Sequence, residues 1–408
     1  MPNYLAFAVP FFLAAIAVEA VVARRRGLRV YRLDDAVIDL ACGMTQQLGL
    51  LVFGLALLSG YTWLYDHARV ATLPPLAGWL VAFVGFDFLY YWWHRWSHEV
   101  NLLWAVHLVH HSSEDYNLAV ALRQAVFSTL TEWPLNILLA LVGVTPLQFV
   151  VASSVNLVYQ FWVHTELIER IGRAELLLNA PAHHRVHHAV NPRYLDKNYA
   201  GIFILWDRLF GTFVEETEQP VYGLVDPLRR FDAMWAQVHH LLDIARLSWA
   251  APTLSGKLLV WVKRPAWRPA GLAALPPPPE VTRAAQQKYV PPGRRATPYV
   301  LANLALAVLG TTALMLWGNA LPFAERCGLV TLALLTLAGF GGFYERRAWA
   351  LPLELGRLAL CVGAAGAWAW RSGGSAWLAA GAALLLAVAL AAWAARTWTA
   401  AAPQAVPA

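Results

Sequence analysis

Formal charge is scarce in this chain: Asp, Glu, Lys and Arg together make up 14 % of its 408 residues, against about 25 % in an ordinary soluble domain. Cysteine is scarcer still. Cys42, Cys327 and Cys361 lie far apart with no CxxC pair, which excludes a disulfide framework and a cysteine-based zinc knuckle and leaves them as small core residues. The metalloprotease motif HExxH is missing, because His98 and Glu99 are followed by Val100, Asn101 and Leu102. No internal repeat suggests the inverted halves of a transporter. Apolar residues are abundant instead. Hydrophobic residues reach 59 %, tryptophan occurs 20 times and mean hydropathy is +0.47, so intrinsic disorder and a collagen-like chain are excluded and lipid is the expected solvent. The net charge of +6 fits the Lys and Arg that membrane proteins gather on their cytoplasmic side, and no nucleic-acid partner is expected.

Residues 4–23 are apolar apart from Glu19, and Arg24, Arg25, Arg26, Arg29 and Arg32 follow. This reads as an uncleaved membrane helix with its C-terminal end in the cytoplasm. Residues 36–60, which carry Asp39, form a second span, and residues 76–93 return, so that the chain just after Trp93 emerges at the cytoplasmic surface. Between Glu132 and Glu166 lie 33 residues without formal charge, interrupted by Pro134 and by the stretch from Gly143 to Pro146. That is about 50 Å of helix, too long for one crossing and short for two, so a short hairpin bent near Gly143 is expected. Four more apolar stretches come later, at about 298–318, 327–344, 351–370 and 374–396, with Glu345, Arg346 and Arg347 marking an inside turn. The expected fold class is therefore all-α, a polytopic integral membrane helical bundle. Its expected divisions are a catalytic domain over 1–245, a Pro-rich cytoplasmic linker over 246–297, a four-helix transmembrane region over 298–397 and a flexible tail over 398–408.

Ten of the 13 histidines fall between His94 and His188, where even spacing would put about three. They form an HxxxH pair (His94, His98), an HxxHH group (His107, His110, His111), His164, and a second cluster (His183, His184, His187, His188) containing another HxxHH. Residues three and four apart share a helical face. Three such faces gathered at one membrane surface would enclose two metal ions, since nine or ten imidazoles exceed what one ion takes. Imidazole suits several metals; iron gives so large a shell at a lipid surface a redox purpose. His67, His239 and His240 read as ordinary hydrogen-bonded or interfacial side chains.

These spacings resemble the fatty acid hydroxylase and sterol desaturase superfamily of non-heme diiron membrane oxygenases. Within it, the run from His94 through Glu99, Asn101, Trp104, His107, His110, His111, Glu114, Asp115, Tyr116 and Asn117 to Arg123 and Gln124 looks closest to the ether-lipid-cleaving, alkylglycerol monooxygenase-like branch. Tyr159, Gln160, His164, Thr165 and Glu166, then Asn179, Pro181, His183, His184, Arg185, His187 and His188, continue the likeness over about residues 35–235. The resemblance implies as metal ligands His94, His98, His107, His110, His111, His164, His184, His187 and His188, with His183 as an additional candidate. Gln160 stands where fatty acid 2-hydroxylases have a histidine, which leaves one iron open to dioxygen, water, Gln160 or His183.

Glu99, Asp115 and Asn117, beside ligand histidines, become candidate catalytic residues through the same likeness. Asp87 reads either as an acceptor for an imidazole N–H or as a helix-packing residue. Arg185 is expected to face phosphate headgroups, and Tyr90, Tyr91, Trp92 and Trp93 to form an interfacial aromatic belt. The implied activity is oxidation of a lipid C–H bond with two iron ions, dioxygen as co-substrate and an electron donor, either tetrahydrobiopterin or a redox protein. Cleavage of an alkylglycerol ether is one form of it. A sterol, carotenoid or fatty-acid hydroxylase or desaturase is the alternative on the same site. A metal transporter is the alternative from another class, but it would place its ligands near the bilayer midplane. The expected location is a bacterial inner membrane, with the metal site facing the cytoplasm.

Overall fold

The computed structural model describes residues 5–400 and is helical, with no strand among the described residues beyond two isolated bridges, Leu178 to Phe203 and Ala189 to Tyr222. Helix α1 is Leu5–Arg25, α2 Leu33–Ala68, α3 Pro75–Glu99 and α4 Asn101–His111. The hairpin is formed by α5 (Ser128–Leu141) and α6 (Pro146–Trp162), and then come two short helices, α7 (Pro181–His187) and α8 (Leu205–Leu209). Beyond them lie α9 (Ala233–Ala250), α10 (Leu254–Val262), α11 (Thr297–Trp317), α12 (Phe323–Tyr344), α13 (Ala350–Ser372) and α14 (Ala376–Ala400).

Among the described residues seven helices are long and apolar enough to cross a membrane: α1, α2, α3 and the four from α11 to α14. At about 1.5 Å rise per residue, the 21 residues of α1 cover the roughly 30 Å hydrocarbon core. The chain is an integral membrane protein. Helices α5 and α6, at 14 and 17 residues, are the expected short hairpin. Its bend uses Gly143 at φ +99°, a conformation open to glycine. Helix α6 then restarts with Pro146 in its first turn and a capping box in which Thr145 and Gln148 satisfy each other's backbone N–H.

The chain divides into two compact units. The first runs to Leu228 and includes Trp235–Lys288; the second consists of Arg229–Met234 and the chain from Tyr289 onward. In the first unit every acid noted within the apolar stretches is buried and partnered. Glu19 accepts from the Tyr31 and Thr165 hydroxyls and from the Leu118 N–H, and Asp39 pairs with Arg123 at 2.9 Å. The stretch 246–297, expected as linker, contains the end of α9 and all of α10. Its Val260 packs with Ile244 of α9 on Ala105 of α4, and the Asn101 side-chain amide donates to the Val260 carbonyl at 3.0 Å. In the second unit, Arg357 and Glu354 form a buried pair 2.5 Å apart that also engages Asn303 and Tyr299. Helix α14 covers the last spanning stretch, and residues 401–408 of the expected tail lie outside the described residues.

Candidate metal centre

Nine histidines gather into two groups. His94 and His98 on α3, His107 and His111 on α4 and His187 on α7 form one; His110, His164, His184 and His188 form the other. In each group one nitrogen per ring lies within 4.8 Å of all the others, and every ring is buried. The helical faces explain the sorting. His107 and His111, four apart on α4, point to the first group, whereas His110 points to the second. Proline at the first position of α7 and the following turn present His184, His187 and His188 to both.

Backbone carbonyls fix which nitrogen of several rings carries the proton. His94 Nδ1 lies 2.7 Å from the Tyr199 carbonyl, His110 Nδ1 3.1 Å from that of Arg123, His164 Nδ1 2.7 Å from that of Gln160, and His187 Nδ1 3.0 Å from that of Lys197. A carbonyl only accepts, so each Nδ1 donates and, in a neutral ring, each Nε2 presents a bare lone pair. Burial holds these rings neutral: it pulls His110 down to about 4 and, reinforced by neighbouring imidazoles, takes His107, His111, His164, His184, His187 and His188 well below their ordinary range.

Yet the Nε2 atoms face one another. They are separated by 3.2 Å between His110 and His164, 3.0 Å between His164 and His184, and 3.2 Å between His184 and His188. In the first group His107 Nε2 lies 2.9 Å from that of His94 and 3.0 Å from that of His111, while the buried Nε2 atoms of His98 and His187 have no hydrogen-bond partner. Two lone pairs aimed at each other, as in His110 and His164, repel unless a cation lies between them. Nitrogen ligands about 2.1 Å from an ion and at right angles are about 3.0 Å apart, so the donor set and its spacing fit bound metal.

The remaining candidates lie outside both groups. His183 is buried against Phe213, with its Nδ1 unpartnered. The Gln160 side chain accepts from the Tyr90 hydroxyl at 2.7 Å and donates to Asn156 at 2.5 Å, so it supplies no ligand to the four-histidine group. Glu99 pairs with Arg95 and Arg264. Asp115 is buried between Arg32 at 2.8 Å and Lys288 at 2.5 Å. Asn117 donates to the Val30 carbonyl at 2.6 Å and accepts from the Ala119 N–H.

Asp87 accepts four hydrogen bonds, none from an imidazole. Its donors are the N–H groups of Ile202 and Phe203, the Trp206 indole and the Asn156 amide. Arg185 corrects the headgroup expectation. It is buried, pairs with Glu216 at 2.6 Å and donates to the carbonyls of Thr165, Ile168 and Glu169. Tyr91 and Trp93 are likewise buried rather than part of a surface belt, and the Trp93 ring meets His107 edge-on at 5.6 Å. His67, His239 and His240 are hydrogen-bonded away from both groups, as expected.

Residues 196–199 form a feature that sequence reasoning missed. The Asp196 carboxylate is 3.7 Å from His98 Nδ1, and the Lys197 and Tyr199 carbonyls take the Nδ1–H of His187 and His94. Three residues of this four-residue stretch, Asp196, Lys197 and Tyr199, thus face three of the five imidazoles in one group.

Comparison with known proteins adds to this geometry. Residues 79–212 match the family model described as fatty acid hydroxylase. An alkylglycerol monooxygenase from Homo sapiens is 45 % identical over 273 residues, covering 66 % of this chain and 61 % of its own length. One from Danio rerio is 37 % identical over 371 residues, covering 89 % of this chain and 82 % of its own. An ornithine lipid hydroxylase from Rhizobium tropici is 30 % identical over 128 residues, 31 % of this chain and 39 % of its own. The match thus spans about three fifths of the human relative's length. No solved structure matches significantly.

Proposed function

This chain belongs to the fatty acid hydroxylase family, and on that premise we propose that it is a membrane-bound diiron monooxygenase that hydroxylates a lipid C–H bond and thereby cleaves alkylglycerol ethers. The observation that carries the metal is the pair of opposed Nε2 lone pairs on His110 and His164. The substrate class rests on the alkylglycerol monooxygenase relative matched over most of both chains.

His94, His98, His107, His111 and His187 would hold one iron, and His110, His164, His184 and His188 the other. When bound, the irons supply dioxygen activation: one oxygen atom enters the C–H bond, the other leaves as water, and a reduced pterin or redox protein provides two electrons. The chain's own residues do the rest. The carbonyls of Tyr199, Lys197, Gln160 and Arg123 hold protons on Nδ1, so Nε2 is the ligating atom. With four imidazoles and the Gln160 side chain engaged elsewhere, the second group would hold its iron through one protein ligand fewer than the first. Trp93, edge-on to His107 at 5.6 Å, and Tyr116, stacked on His164 at 5.7 Å, help close the site to water. Hydroxylation of the carbon beside an ether oxygen gives a hemiacetal, which breaks down to an aldehyde and glycerol. Arg24 and Arg25 in the last turn of α1, with Arg26 just after it, support a cytoplasmic location for the site.

Purified protein given a 1-O-alkylglycerol, dioxygen and a reduced pterin should release a fatty aldehyde only while all three are present. Hydroxylation of an ornithine lipid, a sterol or a free fatty acid, with the ether left intact, would replace the ether reading with the alternative on the same site.

A further inference from the structure

We propose that the buried carboxylates of Asp207 and Asp87 are positioning residues that hold residues 196–199 as the orienting loop of the five-histidine group. The proposal rests on the reading that this group binds metal. The loop does not hold its shape by itself: Asp196 and Asn198 have φ of 58° and 55°, the left-handed region that costs a side-chain-bearing residue energy and that Asp and Asn tolerate best. Contacts from outside must maintain it.

Asp207, fully buried, accepts the N–H of Tyr199 and of Ala200, each at 2.8 Å, and the Thr212 hydroxyl at 2.7 Å. Those two N–H groups flank the Tyr199 carbonyl that takes the His94 proton. Asp87, also fully buried, grips the continuation of the loop through Ile202 at 2.6 Å, Phe203 at 3.0 Å and Trp206 at 2.9 Å. Asn198 ties the centre of the loop to the carbonyls of His183 and Val214. The four-histidine group takes its orienting carbonyls from Arg123 and Gln160 instead. Loosening the loop therefore acts on one group and spares the other.

The test is Asp207→Asn in the full-length protein, purified in detergent from cells grown on iron-57. An amide NH2 in place of one carboxylate oxygen opposes an N–H that now has no acceptor. Iron should fall from two to about one per chain after a chelator wash, with the affinity of the five-histidine group lowered roughly 10- to 100-fold. The Mössbauer spectrum should change from a coupled pair to a single site. Thr212→Val, which removes one donor to Asp207 and is the milder change, should give the same selective loss to a smaller extent, and it decides the matter if Asp207→Asn does not fold. Two irons retained in both variants with wild-type resistance to chelator would overturn the proposal, as would equal loss from both groups. Wild-type protein that binds no iron would overturn the metal reading beneath it.

Discussion

At His110 and His164 the backbone decides the chemistry of a side chain. Each donates Nδ1–H to a carbonyl, so the two Nε2 atoms meet as lone pairs 3.2 Å apart. His110→Ala, or His187→Ala in the other group, should lower activity by more than the roughly 100-fold seen for outer partners of a metal ligand. Each should also reduce metal content while the protein stays in the membrane, which a membrane-extraction assay alongside metal analysis checks. Away from the centre, His240 donates to Asn101, and burial, reinforced by His239, pulls its pKa down to about 4. Between about 4 and the ordinary 6.5, the unfolded chain binds this proton and the folded chain does not, so stability falls as pH drops through that window. In His240→Gln the thermal midpoint should fall less between pH 7 and pH 4 than in wild type; equal slopes would show that His240 contributes nothing. The gathering of the histidines was legible because residues of one type three and four apart share a helical face. Residues 196–199 were not, because two of their contributions are backbone carbonyls, which any residue provides; the Asp196 and Asn198 pair was the one available signal. Arg185 was misread because its position between ligands in sequence suggested exposure, whereas Glu216 and three carbonyls enclose it.

Among the elements, the hairpin of α5 and α6 was readable from uncharged length, Pro134 and Gly143, because the cost of leaving backbone polar groups in lipid restricts the chain to few forms. Helix α10, inside the expected linker, was hidden by the prolines around it. The acids of α2 show how spanning stretches carry charge: Asp39 and Asp35 pair with Arg123, at 2.9 and 3.5 Å, in the segment between α4 and α5. Arg123 also donates to the Val109 carbonyl and the Ser112 hydroxyl, and its own carbonyl orients His110. Arg123→Ala should leave the buried Asp39 carboxylate without its cation, with Asp35 keeping only Arg32 at 3.4 Å, and destabilise the protein by about 3–5 kcal/mol. A thermal or chemical unfolding series in detergent reads this directly, and a change below about 1 kcal/mol would show that the cluster adds little.

For the whole molecule, two levels of information agree. Composition and apolar length specify a membrane protein, and the two histidine groups are where the proposed chemistry is located. The second unit contains the other four spanning helices and contributes none of the nine clustered histidines. A relative matched over most of the chain is an alkylglycerol monooxygenase, and the reaction proposed above requires redox metal at both groups. The most direct measurement is therefore the metal content of detergent-purified protein from iron-57-enriched cells, with Mössbauer spectroscopy of the same sample. Two irons per chain in a coupled, nitrogen-rich site is the predicted result. Zinc bound reproducibly in both groups, with iron that cannot be loaded afterwards, would contradict the oxygenase account.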